Sequence, residues 1–260
     1  MNAKAPLRFL AALVLAVGIA SMGARANVRA DGDLVQAFSE AFDEDGNDSS
    51  AVTVTMSATT TGNTMYVGVL HDTSGTNTGP VMTNVSFAQV TDSPFTVPSV
   101  GSCSGGTCRL TIWKGEVTTG GATSLVVTNA FANVAVVELE GDIDVFDYSH
   151  GSNASSSTLA SGQATTDGVG IAIGVYFAVD APTITGGFTE ATENCDVTIA
   201  FCVGIARRTT SAASNYELTS SDSFAGWNAY VLVANAGAGP GPPSRRPCAI
   251  IGGGRYGCFP

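Results

Sequence analysis

From about Ala51 to Ala236 the chain alternates short β-branched runs with clusters of Gly, Ser, Thr, Asn and Asp. That texture is the signature of a β-sandwich or barrel. Strands are predicted near residues 51–57, 64–70, 82–88, 107–114, 123–128, 133–140, 168–179, 198–207, 214–219 and 226–234, about ten in all. Several alternate with a period of two, as strands with one buried face do. Val52, Val54 and Met56 share one side and Thr53 and Thr55 the other. Val169, Ile171, Ile173, Val175, Phe177 and Val179 form a large apolar set, opposite Gly170, Ala172, Gly174, Tyr176 and Ala178. The large set should face the core. The small set should either leave room for a segment lying close above it or form a flat outer face. In Trp227 to Val233 both sides are apolar, as in a central strand covered twice. One short helix is expected, over Asp33 to Phe42, through Leu34, Ala37, Phe38 and Ala41. No repeat of 20–50 residues is evident.

The pattern sets the boundaries. Residues 1–26 read as a signal peptide: Lys4 and Arg8 precede a short apolar run from Phe9 to Ala20, and Ala24-Arg25-Ala26 offers a cleavage site. The run is too short for a membrane span, and no later stretch reaches the required length, so no membrane span is expected after its removal. Residues 27–50 form an acidic N-terminal segment, 51–236 the sandwich, and 237–260 a Gly/Pro-rich linker with a Cys-closed tail. This organisation places the protein outside the cell or at its surface.

Charge narrows the partners. The chain carries a formal net charge of −11, and loss of Lys4, Arg8 and Arg25 would take it to −14 with Lys114 as the only lysine. Such a surface lacks the basic stripe that nucleic acid requires. All six cysteines, Cys103, Cys108, Cys195, Cys202, Cys248 and Cys258, lie after the leader and form close pairs 5, 7 and 10 positions apart. In an exported chain they read as local disulfides. They lack the paired knuckles of a zinc site. Cys195 can reach Cys202 only if the intervening residues loop back, because a straight strand would separate the two by roughly 20 Å.

Candidate chemistry is sparse. Glu138, Glu140, Asp142, Asp144 and Asp147 make the densest acidic patch. Asp142, Asp144 and Asp147 are candidate calcium ligands. A facing pair of carboxylates could instead run glycoside hydrolysis. Asp43 to Asp48 superficially resembles a calcium loop, but its glycine stands fourth instead of sixth. Gly101-Ser102-Cys103-Ser104-Gly105 matches a nucleophile elbow in letters, yet strand instead of helix should follow it. His71 and His150 sit beside turn residues and read as exposed loop histidines. Trp113, Trp227, Tyr66, Tyr148, Tyr176, Tyr216 and Tyr230 could supply a sugar-stacking platform, although most lie on strands expected to pack inward. Tyr148 is the ring expected to be exposed and the candidate ligand contact. Recognition is also expected from the loop Gly151 to Thr166.

The order of motifs from Leu34 to Ala236 resembles a family of exported bacterial and phage-associated β-sandwich domains. The residues are Val52-Thr53-Val54-Thr55, Gly62 to Leu70, Val85 to Thr96 and Leu110-Thr111-Ile112-Trp113-Lys114. Gly120-Gly121, Leu125-Val126-Val127-Thr128 and Val137-Glu138-Leu139-Glu140-Gly141 with Asp144 follow. Gly187-Phe188-Thr189, Gly204-Ile205-Ala206-Arg207 and Gly226 to Val233 complete the set. The cysteines and the tail depart from the family pattern. The resemblance implies a jelly-roll-like antiparallel sandwich, with no catalytic motif, found alone or attached to adhesive and carbohydrate-acting proteins. Fold and family together lead to an expectation of a secreted, non-catalytic structural or adhesive module. Its expected partners are glycans or copies of itself. A calcium-assisted carbohydrate-binding module and a glycan hydrolase are the alternatives.

Overall fold

A computed structural model describes residues 32–41, 51–72, 79–90, 95–97, 108–128, 133–153, 157–166, 168–196, 201–224, 226–235, 249–251 and 255–257. The expected signal peptide, the Asp43–Asp48 stretch, Cys103, Cys248 and Cys258 lie outside these residues. The protein is all-β and antiparallel, and none of the described residues is helical. The first half contains β1 (Leu34–Ala41), β2 (Val52–Thr55), β3 (Thr64–Asp72), β4 (Pro80–Val81), β5 (Val85–Gln89), β6 (Phe95–Val97), β7 (Cys108–Val117), β8 (Ser124–Val127) and β9 (Asn133–Leu139). The second contains β10 (Val145–Asn153), β11 (Ser157–Ala160), β12 (Ala164–Thr166), β13 (Gly170–Val179), β14 (Ile184–Thr185), β15 (Thr189–Asp196), β16 (Phe201–Thr210), β17 (Ser214–Tyr216), β18 (Thr219–Phe224) and β19 (Trp227–Asn235). In the tail, β20 (Ala249–Ile251) and β21 (Arg255–Gly257) form a hairpin that sets Ala249 opposite Gly257, the residues flanking Cys248 and Cys258.

Two central sheets carry the molecule. One has the order β1-β9-β3-β7-β5, with β6 also on β7, and the other β10-β19-β13-β16-β15. Matched by their pairing, β1 with β10, β9 with β19, β3 with β13, β7 with β16 and β5 with β15, the strands stand in the same order in the two sheets. The small outer sheets correspond too: β2-β8-β4 covers the first, and β11-β18-β14, with the β12-β17 pair, covers the second. In each half the first strand pairs with the last (β1 with β9, β10 with β19) and the second with the next to last (β2 with β8, β11 with β18). Farther in, β3 pairs with β7 and β13 with β16. A long hairpin rolled up in this way is a jelly roll, and the chain holds two of them.

The four layers explain why so many strands are apolar on both sides. Tyr66, Leu70, Ile112 and Val137 of the first central sheet meet Ile173, Val175, Phe177, Val203 and Leu232 of the second. Met65, Val67 and Val136 turn the other way, onto Val54, Leu125 and Val127 of the first outer sheet. Ala172, Tyr176, Val231 and Val233 turn onto Leu159, Tyr216, Leu218 and Phe224 of the second. Burial of each large side chain contributes about 1.5–3 kcal/mol. The small face of β13 is the seat of the outer layer: a Cβ on Gly174 would come within 2.7 Å of the Leu218 methyls. Val169 is an exception to the expected core set and is exposed, just ahead of β13.

Residues expected to be helical form β1 instead, so the sandwich begins upstream of Ala51. The register slips between Leu34 and Gln36. That bulge puts Leu34 and Ala37 on the central core while Phe38 packs on the outer one. An i,i+3 apolar pair therefore imitates helical spacing within a strand. The equivalent strand of the second half, β10, has its slip at the matching place, between Val145 and Asp147. Among the described residues, polar contacts that tie the halves together include Asn133 Nδ2 to Phe201 O (2.6 Å), Ser39 Oγ to Glu193 O (3.0 Å) and Thr192 Oγ1 to Ser39 Oγ (2.9 Å).

Candidate functional site

The acidic patch does not act as one group. Glu138 is fully buried and accepts hydrogen bonds from Gln36 Nε2, from Thr60 N at 2.8 Å and from Asn63 Nδ2 at 2.6 Å. Such a carboxylate holds the structure together, and its donors repay the cost of burying charge. Glu140 lies past the end of β9 and does not share its face. Asp147 accepts from Thr165 N at 2.8 Å. Asp142 and Asp144 converge on Lys114, whose ammonium bonds Asp144 and lies 3.5 Å from Asp142 and 3.7 Å from Glu116. Burial pulls the Lys114 pKa down, but the Asp144 hydrogen bond and the charges of Asp144, Asp142 and Glu116 outweigh it and raise the net value. The three calcium candidates are thus not brought together, and a cation at Asp142 and Asp144 would compete with Lys114.

The loop carrying these acids is pinned from below. Thr64 Oγ1 donates to Gly141 O and accepts from Ile143 N, and Tyr66 Oη donates to Ile143 O at 2.8 Å. The Tyr66 hydroxyl pKa is pushed far up, first by burial and then by Asp144 and Asp142.

Beside this loop a groove of about 420 Å³ runs between β5 and β10. Its lining includes Gln89, Lys114, Asp144, Val145, Phe146 and Tyr148. Val145 and Tyr148 both lean on the central core because the bulge inserts Phe146 between Val145 and Asp147. The inserted Phe146 is 56% exposed, whereas Tyr148 is half-buried. Tyr148 thus lines a cavity, but its neighbour is the exposed ring. Period-two reading missed Phe146 because the bulge is local and has no glycine or proline to announce it.

The other aromatic candidates pack inward. Tyr66, Tyr176 and Tyr230 are fully buried, and Tyr216 and Trp227 nearly so. The Trp227 indole donates to Ser157 Oγ at 2.9 Å. Trp113 is half-buried and donates to Thr111 Oγ1 at 3.3 Å. Neither histidine lies in a loop. His71 is buried near the end of β3, and His150 is exposed on β10 with its ring 5.8 Å from that of Tyr230. The expected loop Gly151 to Thr166 is mostly strand, the end of β10 with β11 and β12.

Two carboxylates that the sequence did not single out meet on the outer face of the second central sheet. Tyr176 Oη lies 3.1 Å from Glu190 Oε2 and 3.0 Å from Glu193 Oε1. The register slip between Glu190 and Thr192 places both acids on one side of β15. Gly204 clears their space, since a Cβ there would fall 2.2 Å from the Tyr176 oxygen. Burial, then the Glu190 charge, pushes Glu193 up to about 7, against the opposing Tyr176 hydrogen bond. Next to them Cys195 and Cys202 form a disulfide across the β15–β16 hairpin, with Cα atoms 4.0 Å apart, so the chain does loop back between them. Of Cys108 only the backbone is described, at the start of β7.

Comparisons with family models, with curated proteins and with solved structures find no match to this chain.

Proposed function

We propose that this protein is an exported, non-catalytic adhesive module, acting at the cell surface or in extracellular material, that holds a glycan in the groove between β5 and β10. The observation that carries the reading is the bulge that turns Phe146 out beside Tyr148 above Lys114, Asp144 and Gln89. Sugar rings lay their C–H faces on aromatic rings, and fixed polar groups select their hydroxyls. Because the Lys114 ammonium already stands between Asp142 and Asp144, where a cation would have to sit, binding is expected to be independent of calcium.

The test is a glycan array on residues 27–260, with calcium and with chelator, followed by calorimetry on the best ligand. Phe146→Ala should weaken binding at least tenfold and leave the melting temperature within a degree or two. Undiminished binding by that variant would remove the groove from the proposal. A blank array would leave a structural role without sugar recognition.

A hydrolase reading draws on the Glu190–Glu193 pair, in which one acid is raised to about 7. None of the described cavities is lined by either residue, so binding leads. Glycan cleavage abolished by Glu193→Gln would reverse that order.

A further inference from the structure

Basic side chains are few in this acidic protein, and the fate of each is informative. Every ion pair among the described residues is centred on Lys114. Arg208 donates to Gly186 O at 2.6 Å and lies over the Tyr216 ring at 4.9 Å. Arg207 is half-buried, and among the described residues no hydrogen bond or ion pair engages its guanidinium. Both arginines line one cavity of about 330 Å³, together with Gly187, Thr189 and Thr209. No carboxylate contributes to that lining.

The cavity follows from the strand ends. Pairing of β15 with β16 stops at Thr189 opposite Arg207, whereas β16 runs on to Thr210. The chain approaching β15 turns through Gly186 and Gly187 at φ of 72° and 77°. A Cβ on Gly187 would press on Arg208 at 3.1 Å, so glycine lets the guanidinium lie against the turn. A notch results at which Arg207, its register partner Thr189 and Thr209 share one face of the sheet, while Arg208 turns to the other, over Tyr216.

We propose that this notch is a binding site for a single oxyanion, the carboxylate or sulfate ester of an otherwise weakly charged ligand, with Arg207 as its principal donor. A guanidinium matches a carboxylate or sulfate with two parallel hydrogen bonds. Thr189 and Thr209 add neutral donors. The net charge of −11 repels polyanions at long range, which selects an isolated charged group over a charged polymer. The site lies at the β15 edge of its sheet, opposite the β10 edge that forms the aromatic groove, and it stands or falls independently of the glycan proposal.

The experiment is an NMR titration of the arginine Nε–H signals at constant ionic strength. Sodium glucuronate and sodium sulfate are the probes, and glucose is the neutral control. A saturable shift of the Arg207 signal with either anion, absent with glucose, is expected. Arg207→Gln should weaken the affinity at least tenfold with an unchanged melting temperature, and Thr209→Val should weaken it a few-fold. Saturation by glucuronate alone identifies a carboxylate site, and by sulfate alone a sulfate-ester site. A shift that never saturates, an equal shift with glucose, or unaltered affinity in Arg207→Gln overturns the proposal.

Discussion

At the scale of single residues, Glu193 has the clearest consequence. Its carboxyl shares the Tyr176 hydroxyl with Glu190 and is raised from 4.5 to about 7, by burial and then by its neighbour's charge. The native state therefore holds this proton more tightly than the unfolded chain does. The favourable contribution is complete below pH 4.5, the value expected in the unfolded chain, and is lost as pH rises through about 7. Glu193→Gln keeps the size and the hydrogen bonding without the charge. Relative to wild type it should gain about 1–2 kcal/mol between pH 5 and 8, an amount reduced for partial solvent screening. Urea unfolding at a series of pH values measures this, and a constant difference between the two proteins across that range would refute it. Glu138 is the contrasting acid. Its three donors come from β1 and from the turn before β3, so it fastens an edge strand and a turn to the centre of a sheet.

At the scale of elements, the β15–β16 hairpin shows what a disulfide adds at a sheet edge. Cys195 and Cys202 are opposite partners in the register, close to the turn. Closing so short a loop restricts the unfolded chain by about 2–3 kcal/mol in the chain-entropy picture. Replacing both cysteines by serine should cost about that amount in urea unfolding, with β15 the first strand to lose amide protection. A loss below about 0.5 kcal/mol would mean that the contacts of β15 with β1 and β16 hold the hairpin unaided. The strands that sequence reading found include β2, β3, β13 and β19, whose residues run without an inserted one. Those it missed include β1, β10 and β15, and each of them carries a register slip. A bulge moves residues three apart onto one face, which erases period two and in β1 imitates a helix. The same effect governed the groove: Tyr148 and Asp144 stood out as an aromatic and an acid in a turn, whereas Phe146 owes its exposure to pairing with β19.

At the scale of the molecule, two jelly rolls share the largest core. The faces that meet there carry Tyr66, Leu70, Ile112, Phe177, Tyr230 and Leu232. Neither half can leave them to water without exposing a broad apolar sheet. Residues 27–143 and 144–236 made separately should associate or aggregate, and mixing them during refolding should restore a soluble complex. Sedimentation decides the matter, and two stable, monomeric halves would show that the shared core is dispensable. The duplication escaped sequence reading because it spans about a hundred residues per copy, beyond the 20–50-residue periods of solenoid and propeller repeats. It resides in strand order, outer layers and bulge position more than in recurring letters.

The rolled hairpin also dictates an order of events during folding. In each half the strand that closes the central sheet is the last to emerge, and it enters between two strands already present: β9 between β1 and β3, and β19 between β10 and β13. Until β19 arrives, β10 has no partner in its sheet and β13 presents one bare edge. The contacts that complete each roll join residues about as far apart in the half as they can be, Leu34 with Leu139 and Val145 with Ala234. Chains of this kind fold slowly. Loss of β19 would part β10 from the other three strands of the second sheet, and a translation product that stops short of Trp227 would expose two unsatisfied strand edges at once.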